Sequence, residues 1–317
     1  MALPPYASTG ERIWHYTFRI ICGLIFFFLM APIVIVVPLS FNVEPYFSFT
    51  EGMLSFENDA FSTRWYADVL RNGMAAPDAI AGWWTDMWNN AQWVRAIKNS
   101  FIIGFFATIL ATALGTLAAI GLSRSEMPAK GAIMATLISP MIVPLVITAS
   151  GLFYSFSQDL NPVNWFADEP IAPTWTLTRT YFGLILAHAV LGTPFVIITV
   201  TATLVGFDQS LVRAAQSMGA SSARTFFKVQ MPLILPGVIS GALFAFITSF
   251  DEVVVVLQMA DVEQRTIPRQ MFSGIREQIS PTILAVATIL VLISIGLLTV
   301  LELLRRRSER LRGMSPS

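Results

Sequence analysis

Six stretches of this chain stay apolar long enough to cross a hydrocarbon core: roughly 19–41, 100–122, 132–156, 181–207, 234–259 and 282–304. A helix rises 1.5 Å per residue, so about 20 residues cover a core of about 30 Å. A helix also satisfies its own backbone N–H and C=O groups, which lipid cannot do. Period-two alternation is absent from the runs, which argues against a lipid-facing barrel. The first run exceeds the 7–15 residues of a signal-peptide core, and no small-x-small site follows Phe41, so it is read as a retained helix. Charged residues make up 13% of the chain, against about 25% in soluble domains. The formal net charge of zero gives no basic field for nucleic acid. Cys22, the single cysteine, lies in the first run and is read as a small buried hydrophobe.

Lys and Arg set the expected orientation. Arg12 and Arg19 precede or open the first run, Arg124 and Lys130 follow the second, and Arg213, Arg224 and Lys228 follow the fourth. The tail carries Arg305, Arg306, Arg307, Arg310 and Arg312. Six crossings put all of these on one side, with both termini in the cytoplasm. Asp168, Glu169 and most other acids then fall outside; Arg265, Arg269 and Arg276 run against the pattern. The two outer segments, 42–99 and 157–180, hold Trp65, Trp83, Trp84, Trp88 and Trp93, and Trp165 and Trp175. Indoles favour the headgroup layer, so a helix lying along the membrane surface is expected over 83–98.

The connection between the fourth and fifth runs carries the clearest local signals. Asp208 suits a helix N-cap. Leu211, Ala214, Ala215 and Met218 form one helical stripe, and Gly219 suits the residue that ends a helix. Ser221 or Ser222 can cap a second short helix bearing Phe226, Phe227 and Val229, which Pro232 is expected to stop. The small pair Ala214 and Ala215 lets another surface come close.

This loop resembles the signature segment of the permease subunits of binding-protein-dependent ATP-binding cassette importers. That pattern is Glu-Ala-Ala, three residues, Gly, nine residues, an aliphatic residue, any residue, an apolar residue and Pro. Ala214, Ala215, Gly219, Val229, Met231 and Pro232 fall at those spacings, while Arg213 stands where the family has Glu and reverses its charge. The resemblance implies that Asp208, Arg213, Ala214, Ala215, Gly219, Ala220 and Pro232 belong to a coupling helix docking on a separate ATPase. Ser249–Val255, Arg269–Arg276 with Ile279–Thr282, and the run Ser139-Pro140-Met141-Ile142-Val143-Pro144 resemble the spermidine/putrescine subgroup. Related permeases carry opines, so an opine or amino-acid derivative is the alternative solute, and an ion-coupled secondary transporter the alternative class.

Asp251 and Glu252 are the only adjacent acids within an apolar run. About 17 residues into the fifth run, they would lie about 25 Å from its start. Acids at such depth face a cavity or a partner, so one of them could line or gate the solute path, or could form a helix-end ion pair with Arg265 or Arg269. Pro140, Pro144 and Pro194 free carbonyls and bend helices. His188 could relay protons, though an interhelical hydrogen bond suits it better. Gly104, Gly115, Gly121, Gly237 and Gly241 suit close helix packing.

The expected fold is therefore all-α and integral to the membrane: six transmembrane helices in a type I importer permease arrangement. The expected parts are 1–97 (first helix and tryptophan-rich segment), 98–304 (permease core, with the coupling loop at 207–233) and 305–317 (basic tail). No Gly-x-x-x-x-Gly-Lys-Ser/Thr loop is present, so ATP and Mg would sit on a partner and no catalytic or metal-binding residue is expected in this chain. The resemblance implies two copies of that ATP-binding subunit, a second permease subunit, a periplasmic solute-binding protein and a bacterial inner-membrane location.

Overall fold

In the computed structural model of the chain, the described residues are 8–124, 126–164, 173–206, 208, 210–277 and 280–311. Phe207, Ile279, Trp165, Asp168, Glu169 and Arg312, which figure in the sequence reading, lie outside them, as do the side chains of Arg305, Arg306, Arg307 and Arg310. The described residues form helices: α1 (Thr9–Leu39), α2 (Glu51–Leu54), α3 (Arg64–Arg71), α4 (Trp83–Asn90), α5 (Gln92–Ser123), α6 (Lys130–Ile142), α7 (Leu145–Phe156) and α8 (Tyr181–Val205). They continue as α9 (Ser210–Ser217), α10 (Ser222–Thr225), α11 (Met231–Phe250), α12 (Val254–Met259), α13 (Ile267–Glu277) and α14 (Thr282–Leu311). The chain divides into two units, Met1–Trp83 with Gly274–Ser317, and Trp84–Ser273.

In the first unit, α1 opens on a capping box. Ser8 Oγ accepts the Glu11 N–H while Glu11 accepts the Ser8 N–H at 2.8 Å. Leu39 is the one buried residue of α1, and Cys22 is exposed. The expectation of a buried thiol fails because almost the whole circumference of this helix is bare, as suits a helix against lipid. Its far end is closed by polar contacts: Ser40 Oγ and Tyr66 OH stand 2.7 Å apart, and Trp65 Nε1–H donates to the Asn42 carbonyl at 2.7 Å. Thr282, opening α14, donates its hydroxyl to Asp68 of α3 at 2.6 Å.

The second unit is built on α5, α8 and α11, with α8 the most enclosed. Glycines set their closeness. A Cβ at Gly241 would stand 2.8 Å from Val196 Cα, and one at Gly237 would collide with Thr203 Oγ1. Gly121 faces open space, so its expected packing role does not hold. Ala111, Ala119, Val196, Val200, Ile234 and Ala245 fill the seam. Lipid tails are as apolar as these side chains, so the seam is held by van der Waals fit.

Two runs break. The expected third span is α6 and α7, bent by 104°. Pro140 supplies no N–H to the Thr136 carbonyl, and Ser139 Oγ donates there instead at 2.8 Å. Pro144 then starts α7 on a new axis. The expected fifth span, 234–259, is displaced: one continuous apolar helix runs Ser222–Phe250, and α12 follows the break. In all, four of the described helices are long and apolar enough to cross a membrane, five if the bent pair is one span. Thr282–Gly296 is apolar but shorter. The helix expected over 83–98 divides at Ala91 into α4 and the first turns of α5.

Candidate functional site: the coupling segment and the helix breaks

An isolated eight-residue helix is marginal in water, so α9 depends on its ends. At the first, Asp208 Oδ1 accepts the Ser210 N–H at 2.8 Å and Oδ2 accepts the Ser210 hydroxyl at 2.7 Å. These bonds, the hydroxyl's first, hold the Asp208 carboxyl below its ordinary pKa. At the second, Gly219 N–H donates to Gln216 O at 2.9 Å and Ala220 N–H to Ala215 O at 3.1 Å. This is the Schellman pattern, and Gly219 takes the left-handed φ of +84° that it requires. Ser221 caps α10, accepting the Arg224 N–H.

The stripe on α9 is bare: Leu211 is 44% exposed and Met218 88%. Arg213 and Ala214 are exposed, and Ala215 is half-buried. Within its unit α9 touches α10 and the turn that follows it. It is a capped helix presenting an apolar face with room for another surface.

Pro232 does not stop a second short helix, as the sequence suggested. It lies in the first turn of α11, and Phe226–Gln230 forms a π-turn joining α10 to α11. Pro232 has no N–H for the Lys228 carbonyl, and the wider π-turn, closed by Met231 N–H to Phe226 O, absorbs that mismatch. α10 thus passes without interruption into the long apolar helix through Phe250.

That helix ends at the two acids. Asp251 is its C-cap and is exposed. Glu252 is buried, and its Oε1 accepts the Val255 N–H at 2.8 Å, capping α12. The acids therefore sit in a break, about 44 Å from the Ser222 end at 1.5 Å per residue, not inside a continuous helix as expected. Arg269 donates to the Ala260 and Asp261 carbonyls, and Arg265 to Gln270. In the last turn before the break, His188 Nδ1 and Ser249 Oγ stand 2.7 Å apart, an interhelical bond of the kind expected for His188.

The helices that follow the two breaks pack on each other. α7, which follows Pro144, packs on α12, which follows Glu252, through Ala149, Val255 and Met259. Pro140 is half-buried and Pro144 exposed. Sequence reasoning missed Asn99: it is fully buried, donates to the Glu263 and Arg265 carbonyls and accepts the Tyr181 hydroxyl at 2.9 Å. The only signal was an amide next to Ser100 where an apolar run begins.

Residues 111–312 match the family model described as binding-protein-dependent transport system inner membrane component. The chain belongs to this family. It is therefore the permease subunit of an ATP-binding cassette importer and an inner-membrane protein. Among similar proteins of this family, the Escherichia coli putrescine permease PotI is 30% identical over 293 residues, covering 91% of each chain. The Haemophilus influenzae spermidine/putrescine permease PotC is 29% identical over 286 residues, covering 90% of this chain and 95% of that relative. A chain of a bacterial transporter for the acidic polysaccharide alginate shares the fold, with a TM-score of 0.63 at 14% identity over 96% of this chain and 99% of that one. A bacterial alginate transporter in complex with its pentasaccharide-bound periplasmic protein gives 0.60 at 15% identity, over 94% of this chain and 96% of that one.

Proposed function

We propose that this permease carries polyamines such as spermidine or putrescine, forming half of the path and taking its drive from α9. In this reading the chain crosses the membrane six times with both termini in the cytoplasm. Two copies of an ATP-binding partner hold ATP and Mg, and α9 seats its Leu211–Met218 face in a groove of one of them. A second permease subunit supplies the other half of the path, and a periplasmic binding protein delivers the solute. This chain performs no bond chemistry.

The observation that carries the reading is continuity. A capped helix, a left-handed glycine hinge and a 29-residue helix through Phe250 form one lever, and it ends at Asp251 and Glu252. Movement at α9 is delivered to the place where two carboxylates and the α7–α12 contact lie. Protonated amines are attracted by those carboxylates, and relatives named for spermidine and putrescine support that solute class.

The test is uptake of radiolabelled spermidine at matched expression. Glu252→Gln keeps an oxygen acceptor for Val255 and removes only charge, and Asp251→Asn does likewise at the cap. We expect at least one of the two to lower uptake about tenfold, equivalent to about 1.4 kcal/mol. Wild-type uptake in both variants removes the acids from the path.

A further inference from the structure

Arg95 and Lys98 stand on one face of α5 near its start. Both side chains are half-buried, one turn apart, at the start of an apolar helix. Lys98 Nζ sits 4.9 Å from the centre of the Trp88 ring and donates to the Trp88 carbonyl; Arg95 donates to the Asn89 carbonyl. An ammonium has three donors and a guanidinium five, so each keeps donors for an acceptor arriving from outside. Trp84 and Trp88, four residues apart on one side of α4, are 74% and 54% exposed.

At 100° per residue, Arg95, Lys98, Ile102, Phe105 and Ile109 share one face of α5. Ile102, Phe105 and Ile109 are 38%, 57% and 50% exposed, an unbroken apolar lane below the two cations. One leaflet is about 15 Å deep, or about ten residues of helix, so a lane starting at Lys98 runs one leaflet to Thr108 and Ile109. There it meets a groove of about 490 Å³ between α5 and α11, lined by Thr108, Ile109, Thr112 and Val238 among others. Two cations at the polar boundary, the Trp88 indole against one of them and an apolar track one acyl chain long match the parts of one molecule.

We propose that this face binds a glycerophospholipid, its phosphate held by Lys98 and Arg95 and one acyl chain laid along Ile102, Phe105 and Ile109. Two cations favour an anionic headgroup, phosphatidylglycerol over phosphatidylcholine. The site does not depend on which solute the importer carries.

The test uses the assembled transporter, reconstituted in an equal mixture of phosphatidylglycerol and phosphatidylcholine and then read by native mass spectrometry. Phosphatidylglycerol is expected to stay bound to the wild type, and retention is expected to fall at least fivefold in the Arg95→Gln, Lys98→Gln double variant. The charge-preserving Arg95→Lys, Lys98→Arg variant should keep it, which separates loss of the site from loss of the fold. A bulky Ile102→Trp change should weaken retention without touching the cations. Equal retention in the wild type and the double Gln variant overturns the proposal. So does an efficient cross-link from a cysteine at position 102 to the second permease subunit, since protein would then cover the lane.

Discussion

Gly219 is the residue on which the chain turns from α9 towards α10. Its φ of +84° lies where a Cβ is costly, and no atom stands within 4 Å of the point a Cβ would occupy, so strain and not crowding is the penalty. The left-handed region costs an ordinary residue about 1–2 kcal/mol, less for Asn. Uptake should therefore fall in the order Gly219, Gly219→Asn, Gly219→Ala, Gly219→Val at equal expression, with several-fold loss by Ala. A flat series would mean that the hinge is not used. Gly241 is a different case, because its neighbour is the Val196 backbone. Gly241→Ala should destabilise by about 1–3 kcal/mol, seen as loss of folded protein in a detergent melt, while Gly121→Ala should change nothing.

At the scale of elements, the π-turn at Phe226–Gln230 decides how α10 joins α11. Deleting Val229 would restore α-helical spacing and rotate α9 by about 100° relative to α11. ATP turnover should then proceed with little uptake, whereas intact uptake in the deletion would show that the phase of this joint is immaterial. The caps were legible in the sequence because each is local: Asp208 with Ser210, and Gly219 and Ala220 with Gln216 and Ala215. The π-turn was not, because it answers a conflict between Pro232 and the helix on either side of it. Pro232 alone reads as a stop. The break at Asp251 was hidden for a related reason. Apolar residues continue on both sides of it, and only the Glu252 bond to Val255 marks a new helix start.

For the whole molecule, long apolar runs and one spaced motif were enough to give an all-helical permease and its family. They did not give the 104° bend between α6 and α7, since two prolines four residues apart allow both a kinked span and a full turn of direction. Nor did they place Cys22, because burial in one chain and burial in a bilayer leave the same apolar signature. The proposed account of function reduces to one mechanical statement: α9 is seated on an ATP-binding partner and moves the helix that ends at Asp251. The direct measurement replaces Cys22 by Ser, places a single cysteine at Ala215, and seeks a cross-link to the ATPase in the assembled transporter during ATP-driven uptake. The account predicts a cross-link whose formation stops uptake and whose reduction restores it. Uptake by the purified chain with no ATPase attached, or a residue 215 that reacts only from outside the cell, would contradict it.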